Sequence, residues 1–261
     1  MSKTEVTKVQ NTAIAIPDDV YSADAGSGFE ETNQESYAIP FLSILQSGSP
    51  QVKKSDGAYI KGAEEGMLFN SVTQEVYSGE EGIEIIPCHY TQRMIEWGAR
   101  EQGGGFFGEH SPNDPICATA ERNERGQNIL PNGHQLADTR NHYVLIRRKG
   151  MLTPAIMSLS SSQIKKSKQW MSMMQGIKQK NPSTGKFEIA PMFSNYYKLN
   201  TVAESNDKGS WFGYKFSLGG KVTDDAEYEE AKQFNHIVKS GLAKIERNLN
   251  VESASNEKEV F

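Results

Sequence analysis

Short apolar runs separated by turn residues dominate the middle of this chain. Val72, Gln74 and Val76 alternate with polar neighbours before Ser78 and Gly79, and the apolar run 142–146 is followed by a basic turn. Such alternation, punctuated by Gly, Pro, Asn or Ser, is typical of small antiparallel sheets. We therefore predict strand regions at 67–77, 83–97, 142–159, 189–202 and 211–218. The polar segment 98–135, rich in Gly and Pro, is predicted to be a long loop or an excursion from the sheet.

Two segments have a helical period. Hydroxyl groups at 160–162 offer N-cap oxygens for a helix over about 163–175, which Gly176 should end. One face of this helix is expected to contain Ile164, Ser167 or Lys168, Met171, and Met174 or Gln175, with Lys165, Lys166 and Gln169 elsewhere. A second amphipathic helix is predicted over 225–249. Its apolar stripe would be Phe234, Ile237 or Val238, Leu242, Ile245 and Leu249.

The aromatic strand at 211–216 has two different faces. Alternation places Trp211, Gly213 and Lys215 on one face, and Phe212, Tyr214 and Phe216 on the other. We expect the second face to be core and the first to remain available for binding. Tyr196 and Tyr197 must likewise point in opposite directions, so at most one of them is expected in the core.

Composition divides the chain into a core and polar ends. Hydrophobic residues make up 36 % and mean hydropathy is −0.60, which is enough for one core but not for a core along the full length. We predict an acidic flexible arm at 1–36, a core at 37–220, the amphipathic helix within 221–250 and a polar tail at 251–261. No apolar run is long enough to span a membrane, and residues 1–10 are polar, so a cytoplasmic protein is expected.

Positive charge is concentrated in one segment. Residues 139–187 contain ten Lys or Arg and no Asp or Glu. Because the whole chain is formally −5, the residues outside this segment sum to −15. Charged residues in proteins normally mix both signs, so a segment of one sign suggests a polyanion-binding face. The alternative is that these side chains merely solvate a helix and a turn.

Aromatic rings follow these charges closely, and a cationic groove with stacking rings is how proteins hold single-stranded nucleic acid. Trp170, Tyr197 and Trp211 are the predicted stacking rings. The alternative is that these rings pack in the hydrophobic core. The full set of predicted nucleic-acid-binding residues is Arg140, Arg147, Arg148, Lys149, Lys165, Lys166, Lys168, Trp170, Lys178, Lys180, Lys186, Tyr197, Lys198, Trp211 and Lys215.

Catalytic and metal chemistry have little support in the sequence. Cys88 and Cys117 are expected to be reduced thiols, because a disulfide is unusual in a cytosolic protein. A zinc site would have to combine them with His89, His110 or His134, but no CxxC or HxxxH spacing occurs. The segment 183–186 lacks the upstream glycine and the following hydroxyl of a phosphate-binding loop. We expect no enzyme activity, no cofactor and no metal.

The C-terminal segment 251–261 resembles the tails of bacterial and bacteriophage single-stranded DNA-binding proteins. It carries Glu252, Glu257 and Glu259 and ends in Phe261, although Lys258 interrupts the acidic run. In those proteins the acidic residues compete with DNA for the basic groove, and the terminal Phe docks on a polymerase or helicase. The resemblance therefore implies that Phe261 binds such a partner.

Residues 37–220 resemble bacteriophage single-stranded DNA-binding and recombination proteins. The resemblance rests on the apolar opening, on 66–70 and 82–87, on Trp97 with the glycines 103–105, and on the basic strand–helix–strand part. It implies an OB-like antiparallel barrel, mainly β in an α+β chain, with a basic helix insertion and a C-terminal amphipathic helix. It also implies sequence-independent binding of single-stranded DNA during phage replication or recombination, in the host cytoplasm.

Two other functions fit the same sequence features. A strand-annealing recombination protein would share the basic groove and form rings or filaments as a homo-oligomer. A virion or assembly protein would use the charge to contact packaged DNA or an acidic partner. The stripe of the 225–249 helix fits either packing on the core or an oligomer interface.

Overall fold

Antiparallel strands make up most of the computed structural model, which describes residues 18–31, 38–99, 104–148, 150–207 and 209–241. The chain divides into two units, 1–37 and 38–261, and helix α1 (Asp18–Ala23) belongs to the first. The second unit contains, in order, β1 (Leu42–Ile44), β2 (Leu68–Asn70), β3 (Val76–Tyr77), β4 (Ile83–Trp97), β5 (Phe106–His110), β6 (Glu121–Arg122), β7 (Asn128–Ile129), β8 (Gln135–Arg148), β9 (Met151–Ser160), α2 (Ile164–Gly176), β10 (Lys178–Lys180), β11 (Phe187–Ile189), β12 (Asn195–Asn206), β13 (Gly209–Lys221) and α3 (Asp225–Lys239).

Two long strands, β4 and β8, form the spine of a strongly curled, half-barrel sheet. They pair along almost their whole length, with a register shift between Pro87 and His89. Strands β12 and β13 extend the sheet beyond the start of β4, and β5 pairs with its end. On the other side of β8 lie β9 and the short β7 and β6. Proline at a bulge is tolerated because the ladder is already interrupted there.

A second, three-stranded sheet of β1, β2 and β3 spans the open side of the curled sheet. At one end, the N–H of Ile156 in β9 donates to the carbonyl of Pro40. At the other end, the side-chain amide of Gln46 makes two hydrogen bonds with the backbone of Phe212 in β13, at 2.8 and 2.9 Å. These bonds join both edges of the half barrel to one small sheet, so the whole forms a barrel-like enclosure.

Helix α2 closes the interior of this enclosure. The side chains inside come from every major strand and include Ile85, Val144, Met157 and Leu199. Trp170 of α2 is 0 % exposed, and its ring stacks on Phe216 of β13 at 4.0 Å between centroids. A buried hydrogen bond of 2.8 Å joins Ser167 Oγ to His142 Nε2 in β8. The helix is therefore fixed to the sheet by a large buried ring and by one polar contact beside it.

Helix α3 covers the opposite face of the sheet. Ala231, Phe234 and Val238 pack there against residues that include Ile86 and Leu145, the immediate neighbours of interior-facing side chains. The helix begins where the side chain of Asp224 accepts a hydrogen bond from the N–H of Glu227 at 3.0 Å, which is an ordinary N-cap. Alternation along β4 and β8 thus supplies two cores, one on each side of the sheet.

The predicted fold class is confirmed: the protein is mainly β, with an OB-like curled antiparallel sheet, a basic helix and a C-terminal amphipathic helix. Phe212, Tyr214 and Phe216 face the interior core as predicted. The predicted stripe residues Leu242, Ile245 and Leu249 and the tail with Phe261 lie outside the described residues.

Two sequence predictions about this architecture need correction. The segment 98–135 is not a plain loop, because it contains β5, which pairs with β4, and the short β6 and β7. The buried face of α2 runs through Ser167, Trp170 and Met174, and Met171 is partly buried against the same core. The predicted stripe is therefore right for Ser167, Met171 and Met174, but it omitted Trp170, whose indole stacks on Phe216.

Truncation of the buried indole should lower the stability of the fold substantially. We expect Trp170→Ala to lower the free energy of unfolding by about 3–5 kcal/mol, because it removes a fully buried ring and leaves a cavity. Met173→Ala is the matched control on the same helix, since Met173 is 39 % exposed, and it should cost roughly 0.5 kcal/mol or less. Urea unfolding followed by circular dichroism measures both. Equal stability of the two variants would contradict the burial of Trp170.

Acid should weaken the fold through His142. Burial lowers the pKa of His142 from 6.5 to about 3 in the folded protein. Between these two pH values His142 binds a proton in the unfolded chain but not in the folded one. The free energy of unfolding should therefore fall as the pH drops from about 6.5 towards 3. The expected slope from this group is about 1.4 kcal/mol per pH unit. Urea unfolding at several pH values tests this, and His142→Gln should flatten the slope. The same slope in both proteins would contradict the assignment.

Candidate nucleic-acid interface

The basic segment 139–187 is divided by the fold among three places. Arg140, Arg147 and Arg148 lie on β8, three lysines lie on α2, and the remaining lysines lie on the hairpin of β10 and β11. Lys149, also predicted to bind nucleic acid, lies outside the described residues. Residues that are close together in the basic segment of the sequence therefore do not form one continuous basic surface in the structure.

Arg147 of β8 is held by carboxylates from distant parts of the chain. Arg147 donates to Glu227 of α3 at 2.8 Å and to Glu84 of β4 at 2.8 Å. The hydrogen bond to Glu227, followed by that to Glu84, raises the pKa of Arg147. The guanidinium also lies over the ring of Tyr196, 4.8 Å from its centroid. Because the guanidinium of Arg147 bonds carboxylates on both α3 and β4, it links the helix to the sheet.

The other two arginines are paired as well. Arg140 bonds Asp138 at 2.8 Å and the hydroxyl of Tyr90 at 2.9 Å. Arg148 contacts Glu75 at 3.3 Å. Phosphate binding by these side chains would require breaking existing pairs. Their role in nucleic-acid binding stays a prediction.

Helix α2 and β13 together form an open cleft of about 750 Å³. The helix contributes Lys165, Lys166, Lys168 and Met173 to its lining, and β13 contributes Lys215 and Phe216. Lys165, Lys168 and Lys215 are exposed and make no ion pair within the described residues. The arrangement follows from the two periodicities, because the buried stripe of α2 leaves its lysines outside and strand alternation points Lys215 away from the core.

The carboxylate of Glu204 contacts one lysine of this cleft. Its Oε1 contacts Lys166 Nζ at 2.5 Å, and its Oε2 accepts a hydrogen bond from Trp211 Nε1 at 3.0 Å. The side chain passes directly over Gly213, where an added Cβ would lie 2.5 Å from Oε2. A larger residue here would displace the carboxylate, so glycine at this position permits the contact.

Glu204 was not among the residues predicted from the sequence. It lies opposite Trp211 in the register of the β12–β13 hairpin. The turn residues Asn206 and Gly209 close that hairpin, so counting outward from the turn gives this pairing. The signal was therefore present in the turn, although the contact with Lys166 depends on the docking of α2.

The predicted stacking rings are in different environments. Trp170 and Tyr197 are both 0 % exposed in the interior core, so neither ring is available to a base, which corrects that prediction. Burial also raises the pKa of Tyr197 to about 12. Trp211 is partly exposed on the same strand face as Lys215. Lys198 is exposed on β12, and Tyr196 lies on the opposite face of that strand from Tyr197, as predicted.

The clusters with possible metal or acid–base chemistry lie away from this cleft. Glu96 accepts hydrogen bonds from His134 at 2.6 Å and from His110 at 2.9 Å. Burial alone would raise the pKa of Glu96, but the hydrogen bonds from His134, His110 and Asn132 together outweigh burial, so the pKa lies below its ordinary value. Cys88 and Cys117 are both free thiols. Within the described ranges, no group of three or more His, Cys, Asp or Glu is placed to hold a metal ion.

Comparison with known proteins gives one match. The model of a family described as Pam3 phage gp34-like protein matches residues 9–244, a range that includes every strand, α2 and α3. No curated protein and no solved structure matches the chain. No helix in the described part of the chain has the length and apolar character needed to cross a membrane.

Neutralising Glu204 should strengthen the binding of a polyanion to the cleft. In Glu204→Gln, Lys166 loses its carboxylate partner, and the affinity for labelled oligo(dT) should rise about fivefold, corresponding to about 1 kcal/mol. Fluorescence anisotropy at low salt measures the change. Glu229→Gln, an exposed site on α3, is the control for net charge. An equal gain in both variants would mean that only net charge matters, and weaker binding would show that Glu204 holds the cleft in shape.

Proposed function

This chain belongs to the Pam3 phage gp34-like family, and from that premise we propose that it binds single-stranded DNA in phage DNA replication or recombination. Binding is independent of sequence, takes place at the cleft between α2 and β13, and involves no catalytic step and no cofactor. A replication polymerase or helicase is the proposed partner of the segment ending in Phe261.

The observation that carries the proposal is the set of free cations around the cleft. Lys165, Lys168 and Lys215 are exposed there without an ion pair in the described residues, in a chain whose net charge is −5. Their neighbours in the lining include Met173 and Phe216, which offer apolar surface. Cations beside apolar and aromatic surface are what a single strand with exposed bases requires.

The chemistry of these side chains favours backbone binding over base reading. Lysine ammonium groups act as point charges towards phosphates, and their binding releases counterions from the strand. A cleft of about 750 Å³ is in the range of pockets that hold one small molecule, so its size suits a nucleotide of a single strand better than a duplex. The acidic remainder of the protein disfavours binding of phosphates elsewhere on the surface.

Titration of labelled oligo(dT) and of the same length of duplex tests this proposal. We expect salt-sensitive binding with strong preference for the single strand. The double variant Lys165→Gln/Lys168→Gln should bind more weakly and lower the slope of log K against log salt by about 1.4, since each phosphate contact contributes about 0.7. The control Lys53→Gln/Lys54→Gln changes the net charge equally at two exposed lysines outside the cleft and should leave the slope unchanged.

Three results would contradict the proposal. Absence of binding at low salt would favour a virion or assembly role for the basic surfaces. Equal loss in both double variants would mean that the cleft is not the binding site. Rings or filaments on DNA in electron micrographs would assign the protein to strand annealing instead of simple binding.

A further inference from the structure

The hairpin of β10 and β11 has one face that combines lysines with large apolar side chains. The register pairs Lys178 with Ile189 and Lys180 with Phe187. Directly paired residues of antiparallel strands point to the same side, so all four lie on one face. The other face carries Gln179 and Glu188. The face formed by Lys178, Lys180, Phe187 and Ile189 is called the hairpin platform below.

The apolar residues of the hairpin platform are exposed to solvent. Phe187 is 74 % exposed, the highest fraction among the large apolar side chains of the described residues, and Ile189 is 53 % exposed. All six residues of the two strands are exposed, so neither face of the hairpin packs on the body of the protein. An exposed aromatic–aliphatic pair on a two-stranded hairpin is typical of a binding surface, since it adds nothing to the core.

The shape of the hairpin is nevertheless well defined. At its base, the N–H of Ala190 donates to the carbonyl of Ile177 at 3.0 Å. At its tip, the side-chain oxygen of Asn181 accepts from the N–H groups of Ser183 and Thr184. The side-chain amide of Asn181 also bonds Glu188 at 2.9 Å, on the opposite side from the hairpin platform. The platform therefore presents cations and apolar groups with no carboxylate of its own.

We propose that the hairpin platform is a second contact for single-stranded DNA, in which Phe187 stacks on a base and Lys178 and Lys180 bind the flanking phosphates. This inference rests on the proposed function and adds to it. Phe187 lies directly opposite Lys180 and diagonally from Lys178 on this face. A ring with cations on the same face matches the bases and phosphates that a single strand presents. A second copy of the chain is a poorer occupant, because pairing two platforms would place like-charged lysines against one another.

Phe187 is exposed where two of the predicted stacking rings are not. Trp170 and Tyr197 lie in the core and cannot stack on a base, whereas Phe187 can. Phe187 immediately follows Lys186, the last cation of the basic segment, and the hairpin follows α2 directly in the chain.

Comparing a normal oligo(dT) with an oligomer of the same length that has abasic sites throughout tests the stacking. Both share the phosphates, and only oligo(dT) has bases. Phe187→Ala should weaken binding of oligo(dT) by about 5- to 150-fold and leave binding of the abasic strand unchanged. Phe187→Tyr keeps a ring and should restore binding. Val72→Ala, an exposed apolar site outside the hairpin, is the control and should have no effect.

The other outcomes separate the two proposals. If Phe187→Ala binds oligo(dT) like the wild type while Lys165→Gln/Lys168→Gln binds weakly, the hairpin inference is wrong and the proposed function stands. If the wild type binds no single strand at low salt, both fail. If sedimentation without DNA shows a dimer that Phe187→Ala dissociates, the hairpin platform is a self-association surface, and the inference is overturned.

Discussion

The docking of α2 into the open half of the barrel is the constraint on which the rest of this structure depends. One indole carries most of it: Trp170 stacks on Phe216 at 4.0 Å and meets His142 at 4.8 Å and Tyr197 edge-on at 5.6 Å. Because Trp170 belongs to one wall of the cleft and Phe216 to the other, their stacking sets the separation of the walls. The positions of the exposed lysines are thus determined by the packing of the core.

The protein uses its two kinds of cation for different purposes. Arg147 of β8 uses its planar fork to bind two carboxylates at once, Glu227 of α3 and Glu84 of β4, and Arg140 and Arg148 each pair with one carboxylate. The lysines of α2, β13 and the hairpin face solvent. Among the lysines on α2 and β13, Lys166 alone has an ion-pair partner within the described part of the chain, and that partner is Glu204. A sequence count of positive charges therefore overstates what is available to a polyanion. The available charge is contributed by lysines, which hold phosphates without fixing their orientation.

Much of the fold could be predicted because the spacing of apolar and polar residues along each strand and helix already determines which face is buried. Alternation in β13 correctly assigned Phe212, Tyr214 and Phe216 to the core, and the acids before α3 located its start. The start of α2 was also predicted, but no hydroxyl caps it: a 3-10 turn over Ser161–Gln163 leads into the helix. The site was harder to predict because its partners come from far along the chain. Glu227 is 80 positions from Arg147, and no local signal reports that pairing. Trp170 looked available because it stands among lysines, whereas its burial depends on Phe216.

The hairpin of β10 and β11 has an architectural consequence. Its two strands expose all their residues, and the backbone bond between Ala190 and Ile177 closes it at the base. The chain enters and leaves it at neighbouring points, so the barrel closes without it. The hairpin is thus a modular appendage: its length and composition are free to diverge, or to be exchanged for another loop, while the barrel and α2 keep their geometry.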